Sequence, residues 1–211
     1  MDAEKALKKD LELAQAFLNS GDINGAVKLC GASITFLNQH IEVLTSNFQL
    51  LKTVKFILEE CHTVIREKNL AETEWYKKRE LSVAFGMGYG ELGWIYQQLE
   101  YWSEAIDLMN RALEFKDLPK ENLNTLYYNL GVCYEEIGDL EKAVRSLKNA
   151  IEINSNDAEA LFNLGMFSAR LENFSDAVIA FERYLNIDST SATATEVREA
   201  LRATRKALER K

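Results

Sequence analysis

The chain has 211 residues, of which 47% are hydrophobic and 27% charged, and 33 acidic against 25 basic side chains give a net charge of −8. That excess repels phosphate backbones and anionic lipid surfaces, which argues against nucleic acid as a partner, and no apolar run approaches the ~18 residues of a membrane span. With a single proline, Pro119, and an abundance of Leu, Ala, Glu and Lys, the composition predicts an all-α fold, since a sheet protein needs more turn punctuation.

Taken in chain order, Met1-Asp2-Ala3-Glu4-Lys5 is charged throughout rather than basic and then apolar, so no secretory signal is expected. Residues 1–40 read as a divergent helix pair. Ala14 and Ala26 lie 12 apart around Gly21-Asp22, a turn built from residues that tolerate unusual backbone angles. Residues 41–85 carry no repeat, but Leu50, Leu51, Val54, Ile57, Leu58, Cys61, Val64 and Ile65 mark one helical face. They predict one or two long helices packed among the others. The pattern leaves open whether Glu72 to Leu99 is one helix or breaks near Gly86 to Gly90.

Segments 86–123, 124–157 and 158–191 repeat one pattern. Tyr89-Gly90-Glu91-Leu92-Gly93-Trp94-Ile95-Tyr96, Tyr127-Tyr128-Asn129-Leu130-Gly131-Val132-Cys133-Tyr134 and Leu161-Phe162-Asn163-Leu164-Gly165-Met166-Phe167-Ser168 are copies of one run. Gly131 and Gly165 are 34 apart, as are Ala143 and Ala177, while Gly93 precedes Gly131 by 38. A small residue follows each glycine after 12 positions, at Ala105, Ala143 and Ala177. Small residues in two antiparallel helices let the backbones approach, and Leu130, Tyr134 and Leu147 fill the space around them. One such pair cannot bury its apolar face alone, so copies stack into a solenoid with a continuous core. Residues 192–211 close the chain as a capping helix. Thr193 and Glu196 fit a capping box, and Val197, Ala200, Leu201, Thr204 and Leu208 form a stripe opposite Arg198, Arg202, Arg205 and Lys206.

Several motifs are better explained by packing than by chemistry. Gly88, Gly90 and Gly93 spell G-x-G-x-x-G, but no strand precedes them, as a dinucleotide site requires. Cys61-His62 lacks the remaining ligands of a zinc site, because only His40 and the distant Cys30 and Cys133 are left. The odd, scattered cysteines read as reduced thiols, which favours a cytoplasmic home. Glu59-Glu60 and Glu135-Glu136 are adjacent pairs that point about 100° apart on a helix. No nucleophile, metalloprotease or phosphate-loop motif is present. Neither catalysis, cofactor nor metal is expected.

The repeats resemble the tetratricopeptide repeat family, through Leu92, Gly93, Tyr96, Ala105 and Ala112, then Leu130, Gly131, Tyr134, Ala143, Leu147 and Ala150, then Leu164, Gly165, Ala177 and Phe181. The family's terminal proline is replaced by Ser155 and Ser189, and the first copy gains four residues around Lys116-Asp117-Leu118-Pro119. The resemblance implies a right-handed superhelical solenoid of antiparallel helix pairs whose first helices line a concave groove. Counted from the motif glycines, Met87, Gly90 and Trp94, then Thr125, Tyr128 and Val132, then Glu159, Phe162 and Met166 face that groove, with Glu135, Glu136 and Arg170 a turn further on. Asn129 and Asn163 stand where family members often use an amide to bond a peptide backbone. Lysines and an arginine that would grip a chaperone's C-terminal carboxylate are missing from these places. The implied function is that of a scaffold, adaptor or chaperone holding a protein segment, extended or helical, with apolar anchors and some positive charge. The alternative is self-assembly into homo-oligomers through the same surfaces.

Overall fold

The computed structural model describes residues 3–41, 48–67 and 75–210. Among them the regular structure is entirely α-helical. The helices are α1 (Ala3–Ser20), α2 (Ile23–Gln39), α3 (Phe48–Glu67), α4 (Trp75–Gln98), α5 (Trp102–Ala112), α6 (Lys120–Glu136), α7 (Leu140–Ile153), α8 (Ala158–Arg170), α9 (Phe174–Ile187) and α10 (Ala192–Leu208). None of them is long and apolar enough to cross a membrane. The chain divides into two compact units, one ending at Pro119 and the other beginning at Lys120.

In the first unit α1 pairs with α2 and α4 with α5, while α3 packs on α1, α2 and α4, and α2 also lies against α4. The periodic face of α3 is buried from Leu50 to Cys61. Helix α4 runs unbroken from Trp75 to Gln98, which settles the question its glycines raised. Those glycines are contact points. A methyl group on Gly86 would lie 2.7 Å from the Leu118 side chain, on Gly88 3.2 Å from Leu58, and on Gly93 2.7 Å from Met109 and 3.2 Å from the Ala105 carbonyl. The four-residue insertion is therefore part of the packing, because Leu118 is buried against α4.

In the second unit α6 pairs with α7 and α8 with α9, α7 contacts α8, and α10 packs on α9. Helix α7 shows why. Ala143, Val144, Leu147, Ala150 and Ile151 recur at helical spacing and are all buried, and a fully buried leucine contributes about 1.5–3 kcal/mol. Gly131 sits where a methyl would meet Leu147 at 2.8 Å, and Gly165 where it would meet Phe181 at 2.4 Å. Both repeats thus use the glycine to bring paired helices together.

Asp22 caps α2 and Asp139 caps α7, each carboxylate accepting a backbone N–H from three residues on, Gly25 and Lys142. The residue before each cap is a glycine in the left-handed region, Gly21 at φ 86° and Gly138 at φ 82°. Glu100 and Glu172 hold the same place in the other two copies, at φ 63° and 59°.

At the C-terminus the cap differs from the Thr193 capping box. Helix α10 begins at Ala192, and Ser191 accepts the Ala194 N–H at 3.0 Å. Ser191 is itself placed by Asp188, whose carboxylate accepts the Thr190 and Ser191 amides at 3.0 Å each. Val197, Leu201 and Thr204 of the predicted stripe are buried, Ala200 is half-buried, and Leu208 is 41% exposed. On the basic face Arg205 pairs with Glu182 of α9 at 2.6 Å, and Arg198 donates to the Ser189 carbonyl.

Candidate functional site

The residues expected to face a partner divide between the two units. In the first, Met87 is 37% exposed, Gly90 and Trp94 are half-buried, and all three lie on α4. Glu91, counted from Gly93, stands where Asn129 and Asn163 stand in the later copies. It is half-buried, and burial raises its carboxyl above the usual range. The asparagines drew attention as amides, and aligning the copies was the signal that could have added Glu91.

The second unit carries the rest on α6 and α8. Tyr128, Val132, Phe162, Asn163 and Met166 are half-buried, whereas Thr125, Glu136, Glu159 and Arg170 are exposed. Asn129 differs from its neighbours. At 8% exposure its amide lies inside the packing, one residue round the helix from the open side. The Thr125 hydroxyl donates back to the Glu121 carbonyl at 3.0 Å.

Side chains bridge α6 and α8 at three levels. Nearest the start of both helices, the Asn124 amide donates to the Asp157 carboxylate at 3.0 Å and to the Ala150 carbonyl at 3.1 Å, while Asp157 also caps α8 through the Ala160 N–H. In the middle, Asn163 Nδ2 lies 3.5 Å from the Tyr128 hydroxyl. Burial, then the Glu159 carboxylate, push the Tyr128 phenol above its ordinary range. At the far end, Arg170 pairs with Glu135. Phe162 leans on Tyr184 of α9 with ring centroids 6.2 Å apart. Asn124 was not anticipated, since a lone asparagine outside the repeated run carries no signal by itself.

The remaining candidate chemistry resolves into structure. Glu59 pairs with Arg111 at 3.1 Å, so the Glu59-Glu60 and Glu135-Glu136 pairs each tie one member to an arginine. His62 is enclosed by Phe85, Tyr89 and Phe115, with centroids 5.3, 5.8 and 5.1 Å away. Cys30, Cys61 and Cys133 are buried, and burial pushes their thiols up to about 12, 11 and 12. Among the described residues no group of three His, Cys, Asp or Glu side chains is placed to hold a metal ion.

Residues 89–121, 125–157 and 158–191 each match the tetratricopeptide repeat. The chain thus carries three tetratricopeptide repeats. Mitochondrial import receptor subunit TOM70 of Saccharomyces cerevisiae is 32% identical over 77 residues, 36% of this chain and 12% of that protein. The chain spans less than half the length of the curated relatives it matches, from 11% to 46%. Among solved structures, BtubC (BKLC) from P. vanneervenii superposes with a TM-score of 0.59 at 15% identity, covering 99% of this chain and 85% of that one. YrrB, described as a TPR protein with an unusual peptide-binding site, gives 0.53 at 17% identity, covering 94% and 98%. At these identities the likeness is one of fold.

Proposed function

We propose that this tetratricopeptide repeat protein is a non-catalytic binding module, and that the open α6–α8 face of its second unit receives a segment of a partner polypeptide. The observation that carries the reading is the mixture on that face. Tyr128, Val132, Phe162 and Met166 remain half-buried beside the exposed carboxylates Glu136 and Glu159. Apolar and aromatic anchors rimmed by charge are what concentrates binding energy at an interface. A partner suited to this face carries apolar anchors and positive charge. Met87 and Trp94 give α4 of the first unit a surface of the same kind. Two proteins of this fold support peptide binding as the use of such a face. One is YrrB; the other is the first TPR of Spaghetti (RPAP3), bound to an HSP90 peptide. The acidic peptide SRMEEVD of that complex is the opposite of the segment that Glu136 and Glu159 favour. A cytoplasmic location belongs to the same reading.

The test is capture of partners from cell extract, repeated with the purified partner, by the parent and by a Tyr128→Ala, Phe162→Ala variant of unchanged helicity. Binding weakened more than tenfold in the variant supports the reading, since hot-spot aromatics contribute about 2 kcal/mol or more each. Equal binding moves the site off this face. Sedimentation of the parent alone separates partner binding from self-assembly, which gives mass that rises with concentration.

A further inference from the structure

We propose that the outer face of α3 in the first unit, with the groove it forms against α1, docks an acidic polypeptide segment that carries an apolar anchor. The surface belongs to α1 and α3 and stands or falls independently of the α6–α8 face.

The groove supplies the apolar part. Between α1 and α3 it encloses about 480 Å³, with Leu11, Leu50 and Ile57 as its floor and Gln15, Gln49 and Thr53 along its rim. Phe56 stands one turn after both Lys52 and Thr53, so it borders that rim, and it is 53% exposed. An open phenylalanine beside an apolar groove makes one continuous patch, the kind of surface that marks an interaction site. A segment laid there places its apolar side chains in the groove and against the Phe56 ring.

The charge on this face decides the chemistry of the occupant. Phe48, at the start of α3, stacks on Tyr101 of the α4–α5 turn with ring centroids 4.9 Å apart, and meets Tyr96 edge-on at 5.8 Å. On this aromatic base the Lys52 ammonium rests 5.1 Å from the Phe48 centroid, and the Lys55 ammonium 5.7 Å from that of Tyr96. A ring face orders an ammonium without neutralising its charge. Lys8, Lys142 and Lys148 each hold a carboxylate at 2.6 Å, whereas among the described residues no carboxylate lies within ion-pair distance of Lys52 or Lys55. Glu59, one turn beyond Lys55, is turned to Arg111 at 3.1 Å. Two ordered cations without a carboxylate, in a chain of net charge −8, are complementary to carboxylates brought by a partner. Glu12 on the α1 rim and Glu60, one turn past Phe56, are exposed. The positive stretch is therefore confined to the first half of α3, which fixes where the acidic part of the segment lies.

The experiment selects phage-displayed random dodecapeptides on the full chain. The binders are synthesised and measured by fluorescence anisotropy at low salt against the parent, Phe56→Ala, and a Lys52→Gln, Lys55→Gln variant, each first shown to keep its helicity. The expected result is a class of peptides with Asp or Glu beside one or two large apolar residues. These bind Phe56→Ala more than tenfold more weakly than the parent. They bind the double glutamine variant about three- to tenfold more weakly, the size of two exposed ion pairs. A Lys52→Arg, Lys55→Arg variant, which keeps both charges and ring contacts, binds them as the parent does. Absence of such a class, or acidic peptides that bind both variants as tightly as the parent, overturns the proposal. So do acidic peptides lost only in Tyr128→Ala, Phe162→Ala, which belong to the α6–α8 face. A parent mass that rises with concentration in sedimentation, and no longer does so in Phe56→Ala, gives the surface to a second copy of the chain and overturns the acidic segment as its occupant.

Discussion

Gly21, Glu100, Gly138 and Glu172 perform one task, turning the chain from the first helix of a pair into the second with a positive φ. For an L-residue with a side chain the left-handed region costs about 1–2 kcal/mol, and glycine escapes most of it. Nothing stands within 4 Å of a methyl group placed on Gly138, so Gly138→Ala reports the backbone cost alone. We expect it to lower stability by about 1 kcal/mol, and Glu100→Gly to raise it by about the same amount, both read from denaturant midpoints. Gly131→Ala belongs to a different class, because its methyl meets Leu147 at 2.8 Å, and overpacking there is expected to cost about 1–3 kcal/mol. The difference in mechanism was legible in the sequence only where the residue type gave it away. Gly21, followed by Asp22, announced its turn, and Gly93, Gly131 and Gly165 their close contacts. Glu100 and Glu172 look like ordinary exposed glutamates, because the rest of the structure forces their backbone angle.

Helix α4 shows what periodicity can and cannot reveal about an element. Its glycines face Leu118, Leu58 and Met109 in turn, so neighbours surround it on several sides and no single apolar stripe survives to mark one continuous helix. The repeated run from Tyr89 to Tyr96 was readable because it obeys the pairing with α5. The turns before it answer to α2, α3 and Leu118 instead, neighbours that the repeat spacing does not place. At that junction His62 of α3 packs among Phe85, Tyr89 and Phe115, with its Nδ1 3.3 Å from the Tyr89 hydroxyl. Burial, followed by the positive charge of Arg66, lowers the imidazole below its ordinary value of 6.5; Glu114 opposes the shift and Arg111 adds to it. The folded state therefore resists protonation, while the unfolded chain accepts it. Stability from this site is complete above pH 6.5 and is lost as the pH falls below it. Urea midpoints measured from pH 7.5 to 5 should decline in the parent and decline less in His62→Phe, which keeps a ring in place. The carboxylate of Asp188, held down to about 2 by the Ser191 hydroxyl and the Thr190 and Ser191 amides, stays charged through that range and does not confuse the comparison. Parallel curves for parent and variant would show that His62 titrates alike in both states.

At the scale of the molecule, the repeats and the all-helical class could be read from spacing, whereas the division after Pro119 could not. The repeat pattern runs across that boundary, since the match at 89–121 includes the first residues of α6, and a spacing rule carries no information about where packing is dense. The second unit nevertheless has its own core. Leu147, Ile151, Leu161, Leu164, Phe181, Tyr184, Val197 and Leu201 form one buried cluster, and α10 turns Glu199, Arg202 and Lys206 to solvent, as an end cap must. A polypeptide of residues 120–211 is therefore expected to fold by itself with cooperative unfolding. At about 0.05–0.15 kcal/mol per residue, its stability should be roughly 5–14 kcal/mol. Because Tyr128 and Phe162 both lie within it, the fragment is also expected to keep the binding that the Tyr128→Ala, Phe162→Ala variant loses, and a fragment that folds cooperatively yet fails to bind the partner would place part of the binding face in the first unit.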